Sequence, residues 1–379
     1  MSYKRHSHNS KPKPIRYNPF FILSLLLPTS IIIIIIIMTS ESHYHETKNK
    51  NTVSSTSTIT AIQPDIIHTH ILTRLDGATL ATAASVSSHL RHLCSGEDIW
   101  KNLCTATWPT FMDPTICHVI SSFPYGHRSI FSDAYPSLHH FSPSPPNHRP
   151  PPPPQELISA VDIYYKGNPI FSRVQRTETS NNLFLTSPLC FEVLQPNEFI
   201  QTPVNFVRKD EEWMSQLQES FTLSWILIDP IQKRAANISS RRPVSVKRHW
   251  LTRDLEIVYA VVMAGEKGRS TEKVQCVVKV TCCGKVGGEL HVKEVNLVME
   301  DMEGRQMMGK KGVMILQRAM ENGERKKVDE VRAMERFVKF SRIIKERREM
   351  KHRREKAHGV VSMLLAFIAL LLFCCIAGF

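Results

Sequence analysis

Apolar residues recur at helical spacing between Ile62 and Leu103, in three short blocks that Asp76-Gly77 and Ser95-Gly96 interrupt. The pattern predicts three helices, with Thr79 as the cap of the second. A unit of this size buries little surface by itself, and a stripe of Leu and Ile that it leaves uncovered favours a partner. We therefore expect a docking module.

Beyond Leu157 the apolar residues alternate, which is typical of half-buried antiparallel strands. The clearest alternation occurs in four segments: Phe221 to Leu227, Leu255 to Met263, Val274 to Cys282, and Leu290 to Met299. Weaker strand candidates are residues 158–165 and 183–194, and residues 211–218 form a short predicted helix. The last strand changes phase near Lys293-Glu294, which predicts a β-bulge. The pattern predicts an antiparallel sandwich or barrel-like α+β domain over residues 155–317.

Prolines concentrate between these two regions: nine of the 23 lie in residues 136–154, after a predicted helical extension at 109–135. Such a run adopts the extended polyproline II conformation. We interpret it as a stiff linker that separates folded domains. A proline-rich ligand for an aromatic groove is the alternative.

The C-terminal part has two predicted segments, a charged helix at residues 318–358 and an apolar tail at 359–379. Val360 to Phe379 carry no charge, and twenty helical residues span about 30 Å, enough to cross a hydrocarbon core. A basic cluster at residues 345–356 precedes the tail, and basic flanks stay on the cytosolic side. The layout predicts a transmembrane tail anchor, with a buried core helix as the alternative.

The N-terminal residues 1–60 are predicted to be disordered or of low complexity. They contain an apolar run at 19–37 behind a basic stretch, which is the charge layout of a signal anchor. Pro28 divides this run, and Met38 follows its seven consecutive Ile residues. A translated leader that ends before Met38 is the alternative, and hydropathy alone does not separate the two.

The net charge of +13 is concentrated near the two ends of the chain. Residues 1–37 hold five basic and no acidic side chains, and residues 310–358 hold 17 Lys and Arg against eight Asp and Glu. The middle of the chain is therefore close to neutral. A domain that binds nucleic acid carries its basic patch on a folded face, so we predict no nucleic-acid partner.

Candidate chemistry is sparse. The nine cysteines are odd in number and irregularly spaced, which argues against a disulfide framework and favours a reducing compartment. No zinc-ligand spacing, phosphate-binding loop, nucleophile elbow or zinc-hydrolase motif occurs. We predict no catalytic, metal-binding or cofactor-binding residues. Trp213, Trp225 and Trp250 are interpreted as core residues, with a recognition pocket as the alternative.

The order of residue types in the helical unit, residues 61–108, resembles the F-box. The matching positions are Pro64, Ile71-Leu72, Arg74-Leu75, Leu80, Val86-Ser87, Arg91-His92-Leu93 and Trp100-Lys101-Asn102-Leu103. Two places depart from the family pattern. Ile62-Gln63 replaces the usual Leu before Pro, and Ser88-His89-Leu90 stands where Lys/Arg-x-Trp is commoner. The continuation after Trp108-Pro109 is similar to a plant F-box subgroup whose remaining sequence has no assigned catalytic role.

The resemblance implies a non-catalytic substrate receptor of an SCF-type ubiquitin ligase, which recruits an unknown target protein. The residues that it implies at the interface with a Skp-type adaptor, and through it a cullin scaffold, are Pro64, Ile66, Ile71, Leu72, Leu75, Leu80, Val86, Leu93, Trp100 and Leu103. The strand-rich domain then selects the target. A tail anchor would place the protein on the cytosolic face of the endoplasmic reticulum or another endomembrane, with cytoplasm or nucleus as the alternative.

The full sequence predicts an α+β multidomain protein: a three-helix F-box, a Pro-rich linker, an antiparallel β-rich domain, and a C-terminal helix with a hydrophobic tail. A working F-box faces the cytosol, so the apolar runs at 19–37 and 360–379 are not both membrane spans in the orientations that their charges favour. A membrane-anchored scaffold whose F-box-like helices dock another partner stays open, as does an enzyme in the strand domain.

Overall fold

The computed structural model describes residues 63–135, 137–138, 152–206, 211–266, 271–285, 287–323, 325–326 and 330–377. The N-terminal region with its apolar run lies outside the described residues, as do residues 136 and 139–151 of the Pro-rich linker. The chain divides into two compact units, residues 1–103 and 104–379.

The described part of the first unit is helical. A first helical segment consists of α1 (Pro64–Ile66), a π-helical turn (Ile67–Ile71) and a 3-10 turn (Leu72–Arg74). The helices that follow are α2 (Gly77–Val86), α3 (Ser88–Leu93) and α4 (Glu97–Thr107). The second of the three predicted helices is therefore two helices.

Two caps set these boundaries. Ser87 has an extended backbone (φ −148°, ψ 161°), and its hydroxyl accepts a hydrogen bond from the Leu90 N–H at 3.2 Å, which caps α3. Asp76 caps α2, because its Oδ1 accepts from the Thr79 N–H at 2.7 Å. The prediction of Thr79 as the cap is wrong: Thr79 is already the third residue of the helix, and it donates to the cap.

The second unit contains two six-stranded sheets. The strands are β1 (Ser137–Leu138), β2 (Glu156–Tyr165), β3 (Asn168–Glu178), β4 (Cys190–Glu192), β5 (Ile200–Asn205), β6 (Phe221–Asp229), β7 (Arg234–Asn237), β8 (Ser245–Arg248), β9 (Leu255–Ala264), β10 (Lys273–Cys283), β11 (Glu289–Glu300) and β12 (Arg325–Lys326). The first sheet has the order β12-β1-β7-β6-β2-β3, and the second has β4-β11-β10-β9-β8 with β5 also paired to β11. Every pairing is antiparallel except the one between β1 and β7. The predicted α+β class is confirmed.

The helices of the second unit precede, separate and follow the strands along the chain. After a 3-10 turn at Pro109–Met112 they are α5 (Pro114–Ser121), α6 (Gly126–Ala134), α7 (Asn182–Thr186), α8 (Glu211–Ser220), α9 (Gly309–Asn322) and α10 (Glu330–Ala377). The short helix predicted at 211–218 is confirmed as α8. The strand predicted at 183–194 is wrong in its first half, where Asn181 caps α7 by accepting from the Leu183 N–H at 2.9 Å.

The four strongly alternating segments are confirmed as β6, β9, β10 and β11, and residues 158–165 as part of β2. The predicted bulge is also confirmed. Glu294 lies opposite Thr281 and Val292 lies opposite Cys282, so Lys293 between them has no residue opposite. The buried positions of β11 are even-numbered before this point and odd-numbered after it.

The two sheets share one hydrophobic core, to which β2 contributes Val161 and Ile163. Residues of β2 on the opposite face, such as Asp162, are buried as well. Asp162 accepts hydrogen bonds from the Thr110 N–H at 3.2 Å and the Thr110 hydroxyl at 2.6 Å. The 3-10 turn thus covers the outer face of β2, and burial of both faces explains why this strand alternates weakly in the sequence.

The two flanks of the Pro-rich linker contact the same unit. On one side Leu138 is buried in the shared core. On the other side the carbonyl of Pro152 accepts from Gln317 Nε2 at 3.0 Å, and that of Pro154 accepts from the Thr179 hydroxyl at 2.5 Å. The interpretation of this segment as a spacer between separate folded domains is therefore not supported, although residues 139–151 lie outside the described residues.

The charged helix predicted from residue 318 is two helices, α9 and α10. The sequence pattern missed the first half of α9 because glycines occupy helical positions there. A Cβ at Gly312 would lie 2.6 Å from Leu189 Cδ2, so close packing requires this glycine. α10 packs on the second sheet through Phe340 and Ile344, which form a small cluster with Met302.

The C-terminal tail belongs to α10. No helix among the described residues combines the length and apolarity needed to cross a bilayer. The transmembrane tail anchor predicted at Val360–Phe379 is not borne out. The side chains of residues 370, 371 and 374–379 lie outside the described residues.

Candidate functional site

The helical unit has its own apolar interior. Four of the ten residues that the resemblance assigned to the adaptor interface are buried in it: Leu72, Leu75, Leu80 and Trp100. The Trp100 indole N–H donates to the Cys94 carbonyl at 2.8 Å, so the ring is fixed in position by a buried hydrogen bond. These four side chains are therefore not accessible at the surface of the chain.

The other six residues are accessible at the surface. Pro64 and Ile66 are exposed, and Ile71, Val86, Leu93 and Leu103 are half-buried. Ile66 is 47% exposed, whereas its neighbour Ile67 is 1% exposed. The two neighbours differ because successive residues of a helix point about 100° apart around its axis, and apolar spacing alone did not show which of the two faces the interior.

The three tryptophans of the strand domain lie in different environments. Trp225 is fully buried and donates to the Ser159 hydroxyl at 3.2 Å, and Trp213 packs on Phe206 with ring centroids 5.0 Å apart. The interpretation as core residues is confirmed for these two. It is wrong for Trp250, which is 79% exposed in the turn between β8 and β9.

A charged groove of about 510 Å³ lies between the second sheet and α10. Its central carboxylate belongs to Glu256, whose side chain is 6% exposed and contacts Lys279 Nζ at 2.6 Å and Lys247 Nζ at 3.4 Å. Burial opposes ionisation, but the two ammonium groups outweigh it and hold the pKa of Glu256 below its ordinary value. The groove therefore contains a paired, ionised carboxylate with no unsatisfied charge of its own.

A second carboxylate joins α6 to the first sheet. Asp133 accepts from the Ala235 N–H at 3.1 Å and lies 3.4 Å from Arg234 Nη2 and 3.6 Å from Arg325 Nε. Burial raises the pKa of Asp133, although both arginines act against the rise. The group has no open space for a substrate, and its contacts are those of a structural ion pair.

Three of the thiols are kept protonated mainly by burial. Burial raises the pKa of Cys276 and of Cys282 to about 12, and burial together with Glu192 raises that of Cys190 to about 11. A thiolate is the reactive form of cysteine, so these side chains are poor nucleophiles at neutral pH. In the part of the chain that the structure describes, no three His, Cys, Asp or Glu side chains are grouped to hold a metal ion.

A small helical docking unit followed by a β-rich domain defines a class of modular binding protein. Comparison with known proteins agrees. A family model described as F-box-like matches residues 64–106. F-box protein At2g27310 of Arabidopsis thaliana is 43% identical over 330 residues, which cover 83% of this chain and 95% of the relative. Probable F-box protein At2g36090 and F-box protein At3g44326 of the same plant are 41% and 43% identical, over 84% and 69% of this chain and 94% and 74% of those proteins.

The chain belongs to the F-box protein family, as the resemblance indicated. The likeness extends well beyond the F-box itself, because the aligned segments cover most of the chain. No solved structure matches the chain.

Proposed function

We propose that this protein is a substrate receptor of an SCF-type ubiquitin ligase. The observation that carries the proposal is an F-box whose buried residues form a core while Pro64 and Ile66 stay exposed. Exposed apolar side chains on a fixed helical scaffold are suited to docking a partner helix or groove. The partner in this role is a Skp-type adaptor, which links the receptor to a cullin.

The ten assigned residues act in two ways under this proposal. Pro64, Ile66, Ile71, Val86, Leu93 and Leu103 contact the adaptor. Leu72, Leu75, Leu80 and Trp100 hold the helices in the geometry that presents those contacts. The β-rich domain selects the target, and the protein makes and breaks no bonds: it raises the concentration of the target near the ubiquitin-loaded enzyme. Cytoplasm or nucleus, the alternative from the sequence, is the compartment that we propose.

The test is co-purification of the full chain with the Skp-type adaptor, in variants that keep the fold. Leu72 and Trp100 are unsuitable positions, because substitution of a buried residue unfolds the unit. Ile66→Asp places a charge at the proposed interface and should weaken adaptor binding by about tenfold or more. Met112→Asp, at a side chain that is 71% exposed outside the F-box, is the matched control and should bind like the wild type.

Adaptor binding that is unchanged in a folded Ile66→Asp protein, or absent from the wild type, contradicts the proposal. Either result favours the scaffold alternative, in which the helices dock another partner. Circular dichroism of both variants establishes that the helices are intact.

A further inference from the structure

The turn between β8 and β9 is held in one conformation by its own hydrogen bonds. The His249 N–H donates to the Asp254 carbonyl at 2.8 Å, and the Arg253 N–H donates to the His249 carbonyl at 3.0 Å. The Thr252 N–H donates to His249 Nδ1 at 3.2 Å. Arg253 has a φ of +65°, a left-handed conformation that closes the turn. We refer to residues 249–254 as the Trp250 turn.

The base of the Trp250 turn is fixed to the body of the domain. The Arg248 guanidinium lies 4.7 Å from the centroid of the Phe206 ring, which in turn packs on the buried Trp213. On the other side Lys293 Nζ, at the β-bulge, lies 3.3 Å from Asp254 Oδ2. The turn is therefore preorganised, so a partner that binds it loses little conformational entropy.

Two large apolar side chains stand at the tip. Trp250 is 79% exposed and Leu251 is 66% exposed. The nearest ring to Trp250 is that of His249, with centroids 6.1 Å apart. Burial of such side chains against a partner is favourable, and no contact among the described residues buries these two. Adjacent exposed apolar residues on a rigid element mark an interaction site more strongly than scattered ones.

The charge at the tip is specific. Lys247 and Lys293 are paired with Glu256 and Asp254. Arg253 is exposed, and no carboxylate contacts it among the residues that the structure describes. The tip thus offers the Arg253 guanidinium beside two apolar side chains, and the Arg248 guanidinium lies at its base against the Phe206 ring. The electrostatic complement of the tip is a carboxylate next to apolar residues.

We propose that the Trp250 turn is the contact by which the β-rich domain binds a target protein. The recognised element is a short segment that sets apolar side chains against Trp250 and Leu251 and a carboxylate against Arg253. Trp and Arg dominate the binding energy of protein interfaces, which fits this pair. A membrane surface fits less well, because the neighbouring lysines are already paired with carboxylates and the two arginines are fewer than the roughly four to eight basic residues of a typical anionic-lipid site. The proposal rests on the proposed receptor function.

The test selects random peptides from a display library on the full chain bound to the adaptor. Enriched peptides should combine Asp or Glu with aromatic or aliphatic residues. A synthetic peptide of this type should lose about tenfold or more in affinity for the Trp250→Ala/Leu251→Ser variant. Arg253→Glu should weaken binding similarly, and a peptide whose carboxylate is replaced by Lys should recover affinity for Arg253→Glu. Leu183→Ser, at a side chain that is 73% exposed in α7, is the control and should bind like the wild type.

Three results would overturn the proposal: no enrichment of peptides, affinities that are the same in the Trp250 turn variants, or absence of the charge-swap recovery. Binding to phosphatidylserine vesicles that requires Trp250, without any peptide that requires it, would also overturn it in favour of a lipid surface. Adaptor co-purification is measured on the same variants and should be unchanged. If the wild type does not bind the adaptor, the receptor function is refuted. The selection is then repeated on the full chain alone, and any peptide binding by the turn is a separate result.

Discussion

Glu256 illustrates how single residues in this protein balance burial against charge. Its carboxylate is almost completely buried, yet it stays ionised because Lys279 and Lys247 contact its two oxygens. Breaking a buried pair is costly, because the partner that is left carries an uncompensated charge. The two lysine side chains are partly exposed, so solvent screens the charges that stay behind when the Glu256 charge is removed. The resulting loss of stability should therefore be moderate.

Glu256→Gln should lower the free energy of unfolding at neutral pH by about 1–3 kcal/mol. The folded-state pKa of Glu256 lies below its ordinary value of 4.5, so its contribution is complete above that pH and is lost as the pH falls through the folded pKa. The difference between wild type and variant in urea unfolding should therefore shrink as the pH falls below about 4.5 and close once the pH is below the folded pKa. Glu272→Gln, at an exposed residue, is the control and should leave stability unchanged across the same pH range. A gap that persists at low pH would contradict this account.

At the scale of elements, the alternating strands and the bulge were predictable, because burial of one face determines which positions are apolar. The interruption at Ser87 and the helix α7 were not, since they depend on side-chain caps that compete with the apolar pattern. For the site, the sequence indicated the F-box positions but did not separate Ile66 from Ile67, because both are apolar and only the packing shows which one faces the interior.

The bulge makes a prediction about deletions in β11. Removing Lys293 joins the two apolar phases into one regular alternation, so the strand should still pair with β10 and lose only the contact with Asp254. Removing Asn296 instead shifts the alternation by one residue. The apolar residues that precede or follow the deletion then point away from the core. For the first deletion we expect cooperative thermal unfolding, with a loss of about 1–2 kcal/mol in the free energy of unfolding. For the second we expect either no cooperative transition or a loss of more than about 4 kcal/mol in the same free energy. Equal effects would show that the bulge does not set the register.

At the scale of the whole molecule, α10 has two parts with different roles. Its first part packs on the domain through Phe340 and Ile344, and Arg348 donates to the carbonyls of Glu303 and Gly304 at 3.2 and 2.9 Å. Beyond that point the described side chains of α10 are exposed. The sequence shows an apolar tail, but the twenty uncharged residues from Val360 to Phe379 did not establish a membrane span.

Truncation should separate these parts. A chain that ends at residue 329 loses the buried Phe340 and Ile344 and should be about 3–6 kcal/mol less stable in urea unfolding. A chain that ends at His358 loses no side chain that the structure describes as buried, and it should be within about 0.5 kcal/mol of the full chain. Destabilisation by the shorter removal would contradict the division of α10 into a packed part and an exposed part.

The position of the Pro-rich linker has a consequence for fragment complementation. Leu138 on one side and Pro152 and Pro154 on the other are fixed to the same body, so the covalent connection through residues 139–151 does not hold that body together. A protease that cut there would leave two polypeptides, one with the F-box and α6 and one with nearly all of both sheets. Their association would rest on Asp133, Arg325, Thr110 and Asp162. The linker is thus a natural place to split the receptor into two halves that reassemble.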